Sequence, residues 1–221
     1  MPQPCHLSSK PADRMDGKNL NQRVRAALAV LVESSDELRD LDQALGDGDL
    51  GITITAGSHA VIDALEELPD DASPTEIARV CAKAFANANP STMAALVAGA
   101  LLNGSRTWVG KEQVGLQEAT EFVAAAAASI SQRGKSSVGD KTILDGISAA
   151  VDAMQECSDA EKAITATTLA AARAVKETTG LQSRRGRASW LQERSIGLPD
   201  PGAVAFQRFV EAWASTSEVS R

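Results

Sequence analysis

The sequence predicts an all-α fold, an antiparallel barrel or bundle of about eight helices. Three observations carry this. Alanine and leucine dominate the 221 residues while aromatics make up 3% and tyrosine is absent, so summed propensity favours helix over strand in most windows. Apolar residues recur at three- and four-residue steps, which places one apolar stripe along a helix. Short polar links with recognisable caps separate these stretches, and short links make sequential helices antiparallel neighbours. No fixed-period repeat is present, which argues against a solenoid.

The first stripe runs from Leu20 through Val24, Leu28, Leu31, Val32, Leu38 and Leu41 to Leu45, and reads as one helix broken at Gly46. A second helix carries Ala60, Val61, Ala64 and Leu65 and ends at Leu68, because Pro69 cannot continue it. Ser73, Pro74 and Glu76 form the clearest helix start, with a cap serine, a proline at the first helical position and a glutamate three residues after the cap. That start leads into Ile77, Val80, Cys81, Ala84 and Phe85. Further helices are expected over 92–108, 117–133, 142–157, 161–176 and 204–214, with no convincing strand. Residues 1–16, rich in proline, and 216–221 are expected to be loose ends around a single domain spanning 17–215.

Charge and composition exclude several functions. A net charge of −7 repels phosphate backbones, and so few aromatics give no stacking platform, so a nucleic-acid partner is not expected. The longest apolar runs are too short to span a bilayer. Cysteines at 5, 81 and 157 match neither a disulfide framework nor a zinc spacing, and no apolar leader opens the sequence, so a cytoplasmic location with reduced thiols is expected. His6 and His59 are isolated; His59 reads as a surface or packing residue.

The most informative stretch is Leu41-Asp42-Gln43-Ala44-Leu45-Gly46-Asp47-Gly48-Asp49-Leu50-Gly51-Ile52-Thr53. Asp42 falls on the last helical turn, and Asp47 and Asp49 alternate with glycines that permit positive φ. A chain reversing through Gly46, Gly48 and Gly51 can aim all three carboxylates at one point. Carboxylate oxygens with no histidine or cysteine nearby suit Mg²⁺ or Ca²⁺, and the spacing does not satisfy an EF-hand, which leaves magnesium as the better reading. The competing reading is a solvated turn, since Gly-Asp pairs form turns readily. Two other segments set glycine beside charge, 133–142 and 184–197; each could cradle phosphate with backbone N–H groups plus Lys135 or Arg187, or be a plain exposed loop.

Together the three segments resemble the nucleotide-binding L subunit of dihydroxyacetone kinases. The family's G-D-G-D-H-G loop corresponds to Gly46-Asp47-Gly48-Asp49-Leu50-Gly51, and its G-D-K-T-M segment to Gly139-Asp140-Lys141-Thr142-Ile143. Its K-G-R-A-S-Y-L-G-E-R-S-I-G-H-x-D-P-G-A tail corresponds to residues 185–203, and the likeness covers 17–215. The resemblance implies that Asp42, Asp47 and Asp49 hold two Mg²⁺ ions gripping the phosphates of ATP or ADP. It further implies nucleotide contacts at Leu50, Gly51, Ile52, Thr53, Pro90, Ser91 and Arg187, an adenine side at Gly134 and Ile143, and a closing segment at Pro199, Asp200 and Pro201.

On this likeness the chain donates a phosphoryl group to a keto sugar, dihydroxyacetone or a four- or five-carbon ketose, held by a separate K-type subunit. The donor would be exchangeable ATP, or a resident nucleotide recharged by a phosphotransferase-system protein, within a homodimer or hetero-oligomer. The alternative is a regulatory or binding subunit that keeps the fold without transfer. Departures from the family pattern lie at Leu50 and Leu198, which replace histidines, and at Ala88-Asn89-Pro90-Ser91-Thr92-Met93-Ala94-Ala95-Leu96, which lacks the family's phosphate-loop glycines.

Overall fold

A computed structural model describes residues 14–216. Among these, nine α-helices follow in order: α1 Gly17–Val32, α2 Ser35–Leu45, α3 Leu50–Glu66, α4 Pro74–Ala88, α5 Thr92–Ser105, α6 Leu116–Gly134, α7 Ile143–Gln155, α8 Ala160–Thr179 and α9 Pro201–Ser215. Eight of them close a ring, in which α1 packs on α3, each later helix packs on the next, and α9 returns to α1. The ninth, α2, packs on α3 and α9 outside that ring. The all-α barrel is therefore present, with α2 added at its end.

Local signals explain the helix starts. Asp16 accepts from the Asn19 amide at 2.8 Å to open α1, and Ser73 and Glu76 form the reciprocal capping box of α4 with Pro74 behind them. Ser91, Thr142, Asp159 and Asp200 cap α5, α7, α8 and α9 with their side chains. The main core joins Leu20, Leu28, Leu31, Leu38, Leu50, Ile54, Val61, Leu65, Ile77 and Phe85. Each such side chain contributes about 1.5–3 kcal/mol on burial. A smaller cluster of Ala100, Ala126, Ile130, Leu144 and Ile147 lies between α5, α6 and α7.

Several expectations are corrected. The stripe from Leu20 to Leu45 is two helices, broken at Glu33 and Ser34, where amides turn back to Val30 and Leu31. The polar run Glu33-Ser34-Ser35-Asp36-Glu37, which interrupts the apolar spacing between Val32 and Leu38, is the physical cause. Helix α3 begins at Leu50, so Leu50, Gly51, Ile52 and Thr53 are its first turn instead of loop. A two-residue antiparallel ladder, β1 Met15–Asp16 with β2 Gln113–Val114, occurs where no strand was expected. Most of the expected loose ends fall outside the described residues. Residues 14–16, however, are tied down: Arg14 pairs with Glu118 at 2.8 Å, and Met15 and Asp16 sit in the ladder. Thr216 is likewise held, accepting from Arg23 at 3.3 Å.

Candidate functional site

Helix α2 ends one residue before Gly46, and that glycine is required by the carboxylate beside it: a Cβ there would lie 2.7 Å from Asp42 Oδ1. Gly48 then adopts φ +78°, the left-handed region that glycine enters without strain. Gly51 does a different task from the expected turn. Its missing Cβ lets α3 approach α2, since a Cβ would stand 2.3 Å from the Ser35 carbonyl oxygen. With this packing Asp42 Oδ2 accepts from the Leu50 amide at 3.2 Å, which fixes the carboxylate over the start of α3.

The result is a converged acidic cluster, in which one oxygen from each of Asp42, Asp47 and Asp49 lies within 4.8 Å of the others. Arg187 reaches it across the chain, pairing with Asp47 and lying 3.9 Å from Asp49. Partial burial, and next the charge of Asp47, hold the Asp49 carboxyl above its usual range, while Arg187 pulls it down. Three hard oxygen donors without an imidazole or thiolate among them fit Mg²⁺, and a divalent ion would relieve the repulsion that Asp49 registers.

Beside the cluster, Thr53 is 1% exposed and accepts from the Asn89 amide group at 2.9 Å, and its hydroxyl donates to Ser91 at 3.4 Å. Ser91 in turn accepts from the Ala94 amide at 3.0 Å, so the first turn of α3 and the start of α5 are joined through side chains. The starts of α5, α7 and α9 also meet. A Cβ on Gly202 would lie 3.1 Å from Met93 and 3.3 Å from Ile143. Four helix N-termini thus face one end of the barrel, where their positive dipole ends favour an anion. A cleft of about 370 Å³ opens next to them, lined by Thr92, Ala95, Leu96 and Arg133, with Gly134 against Leu96.

The other expected residues divide into open and framework positions. Ile52 is 61% exposed and Pro90 is exposed, both free to face a ligand. Leu50 instead turns its side chain into the main core, and Pro201 is buried as the first residue of α9. Pro199 is half-buried. Asp200 is buried, accepts from the Ala203 amide at 2.8 Å, and is pushed up to about 7 by desolvation. It caps α9 and does not join the acidic cluster. His59 is exposed on α3, as read from the sequence.

Sequence reasoning missed the work done by Asp145, which accepts from the amides of Gly139 at 2.6 Å and Thr142 at 2.7 Å and so folds the loop ahead of α7. The signal was legible: Thr142 and Asp145 have the spacing of a capping box.

Fold and site together define an all-helical barrel with an acidic, arginine-bridged cluster at the end where helix N-termini gather. The chain belongs to the DAK2 domain family, whose description matches residues 44–215. It is 32% identical over 188 residues to the ADP-binding subunit DhaL of PEP-dependent dihydroxyacetone kinase 1 from Listeria innocua, covering 85% of this chain and 90% of that one. It is 31% identical over 186 residues to L-erythrulose 1-kinase from Mycolicibacterium smegmatis, covering 83% of this chain. The chain spans only 33% of that kinase's length.

The fold is shared with the dihydroxyacetone kinase of C. freundii. Its native form superposes with a TM-score of 0.73 at 20% identity over 98% of this chain and 37% of that one. The complex of that enzyme with AMP-PNP and Mg²⁺ gives 0.71 at 18% identity over 97% of this chain and 36% of that one. The relatives are thus kinases or kinase subunits. No helix among the described residues is long and apolar enough to cross a membrane.

Proposed function

We propose that this chain is the Mg²⁺–ATP/ADP-binding subunit of a ketose kinase, handing a phosphoryl group to dihydroxyacetone or a related four- or five-carbon ketose on a separate K-type subunit. The observation that carries the reading is the convergence of Asp42, Asp47 and Asp49 under Arg187 at the end where four helices start. The names of the relatives, an ADP-binding subunit and an erythrulose kinase, support it. Bound there, Mg²⁺ supplies neutralisation of polyphosphate charge, the main need in phosphoryl transfer.

The chain's own residues then have separable tasks. Asp42, Asp47 and Asp49 hold cation, two ions on the family likeness. Arg187 offers its guanidinium to phosphate oxygens, and the first turns of α3 and α5 offer N–H groups with Thr53 and Ser91 between them. Leu50 and Gly51 set the approach of α2 to α3, while Ile52 and Pro90 flank the opening. Gly134 and Ile143 border the side suited to adenine, and Pro199, Asp200 and Pro201 close the far edge by fixing the start of α9. No side chain here needs to act as a nucleophile, because the sugar hydroxyl attacks. A phosphotransferase-system protein is the alternative source of the phosphoryl group, and the assembly is a homodimer or hetero-oligomer in the cytoplasm.

One observation favours a second reading, a binding subunit without transfer: the Ser91 hydroxyl is already engaged by Ala94 and Thr53. Calorimetry with ADP separates the ideas. Binding that requires Mg²⁺ and disappears in Asp47→Asn/Asp49→Asn supports the kinase site; metal-independent binding, or none, removes it.

A further inference from the structure

The segment that carries Arg187 runs from Leu181 to Leu198 between α8 and α9, and a 3-10 stretch over Arg187–Ser195 occupies its middle. Nearly all of that stretch lies on the surface, with Trp190 80% exposed. An exposed loop does not by itself hold a guanidinium against two carboxylates, so its neck has to be fixed elsewhere.

The neck closes on Lys141. This lysine is 1% exposed and sits at φ +62°, a left-handed conformation that costs a non-glycine residue on the order of 1 kcal/mol. Its Nζ donates to three main-chain carbonyls: Thr179 at 3.2 Å, Leu181 at 2.9 Å and Ser195 at 2.7 Å. Two of these precede the Arg187 loop and one follows it. All three ammonium protons are therefore spent on joining the loop's two ends.

Neighbouring contacts act in the same sense. The Ser183 amide donates to Ser195 Oγ at 2.9 Å, and the Gly197 amide to the Thr179 carbonyl at 2.9 Å. Asp140 takes the Arg184 amide on its carbonyl at 3.0 Å and Arg185 Nε on its carboxylate at 2.9 Å. The Ser137 amide also donates to that carboxylate, and this bond holds it below the usual range before Arg185 adds to the effect. The loop over 137–142 is pinned to α7 by Asp145, so the whole assembly is anchored to a barrel helix.

We propose that Lys141 is a positioning residue: its ammonium clips the neck of the 182–194 loop and thereby sets Arg187 against the Asp42–Asp47–Asp49 cluster. This rests on the nucleotide reading above for its functional consequence, though not for the clip itself. Lys141 touches neither cluster nor ligand; it acts through Arg187.

Two measurements test it. Limited trypsin digestion of native Lys141→Met should raise cleavage at Arg184, Arg185, Arg187 and Arg194 by about tenfold or more while sites elsewhere stay slow, the mark of local opening. In calorimetry with Mg–ADP, Lys141→Met should weaken binding about tenfold, yet add less than about twofold when Arg187 is already alanine, since residues acting through one another are not additive. Cleavage rising evenly along the chain, or losses that multiply in the double variant, would overturn the proposal. If wild type does not bind Mg–ADP, the nucleotide reading falls and the digestion alone still decides the clip. Should Lys141→Met not fold, hydrogen exchange on wild type takes its place. The Ser183, Arg184 and Gly197 amides should be protected about a hundredfold over coil, and exchange at the coil rate refutes the clip.

Discussion

Asp200→Asn isolates the stability consequence of burying a carboxyl at the start of α9. The side chain caps the helix through the Ala203 amide, has Asp145 and Lys141 for charged neighbours, and is pushed up to about 7 chiefly by desolvation. In the unfolded chain it titrates near its ordinary value of 3.8. Between those two values the folded protein keeps a proton that the unfolded chain has released, so stability falls as pH rises. The contribution is fully present below 3.8 and is lost as pH climbs through about 7. The gap of roughly 3 units, at about 1.4 kcal/mol each, amounts to on the order of 4 kcal/mol.

Asparagine keeps the cap's accepting oxygen and cannot ionise. Urea denaturation of both proteins from about pH 4 to about pH 8 should show similar midpoints at the acid end and a growing advantage for Asp200→Asn toward the alkaline end. Taking the difference between the two proteins cancels the other titrating groups. Parallel profiles across that range would refute the assignment of a neutral, desolvated carboxyl at this cap.

Other perturbations have equally definite outcomes. Gly51→Ala places a methyl 2.3 Å from the Ser35 carbonyl oxygen, and overpacking of about 1–3 kcal/mol should lower the melting temperature by about 3–10 °C in calorimetric scans. Ser73→Ala removes a capping box on the far side of the barrel from the acidic cluster, so it should cost about 1 kcal/mol in urea unfolding without changing Mg–ADP affinity. Arg187→Ala should weaken Mg–ADP binding about tenfold or more in calorimetry, and unchanged affinity would remove the guanidinium from the site. Asp47→Asn/Asp49→Asn should abolish Mg–ADP binding, read as no heat of binding with or without metal.

The barrel was legible because its determinants are local. The cap at Ser73 and the three- to four-residue apolar steps specify helices whatever they pack against. The break at Ser34 was misread because a sharp bend between two helices barely disturbs their apolar phase, and only the five polar residues from Glu33 to Glu37 mark it. At the site, the alternation of Gly46, Asp47, Gly48 and Asp49 showed which carboxylates could converge. It could not show that Gly51 serves helix packing, since a glycine required by a neighbour's carbonyl looks the same in sequence as one required by a turn. Asp200 illustrates the same limit: in sequence it reads as part of the segment closing on the nucleotide, and only the structure shows that it is buried and caps α9.

The distribution of carboxylate partners is why the acidic loop, and not another acidic stretch, is the one we propose for a cation. Asp140, Asp145 and Asp200 are just as charged in sequence. Each is met by main-chain amides that it was folded around: Ser137 for Asp140, Gly139 and Thr142 for Asp145, and Ala203 for Asp200. Their lone pairs are used in shaping loops. Asp42, Asp47 and Asp49 are brought within 4.8 Å of one another with the Leu50 amide and the Arg187 guanidinium beside them. One arginine offsets one of three charges, which leaves about two negative charges at a half-exposed rim in a chain already at −7. A divalent cation would match that deficit in charge and in donor type, and on the proposed reading it would turn a surface that repels polyphosphate into one that holds it.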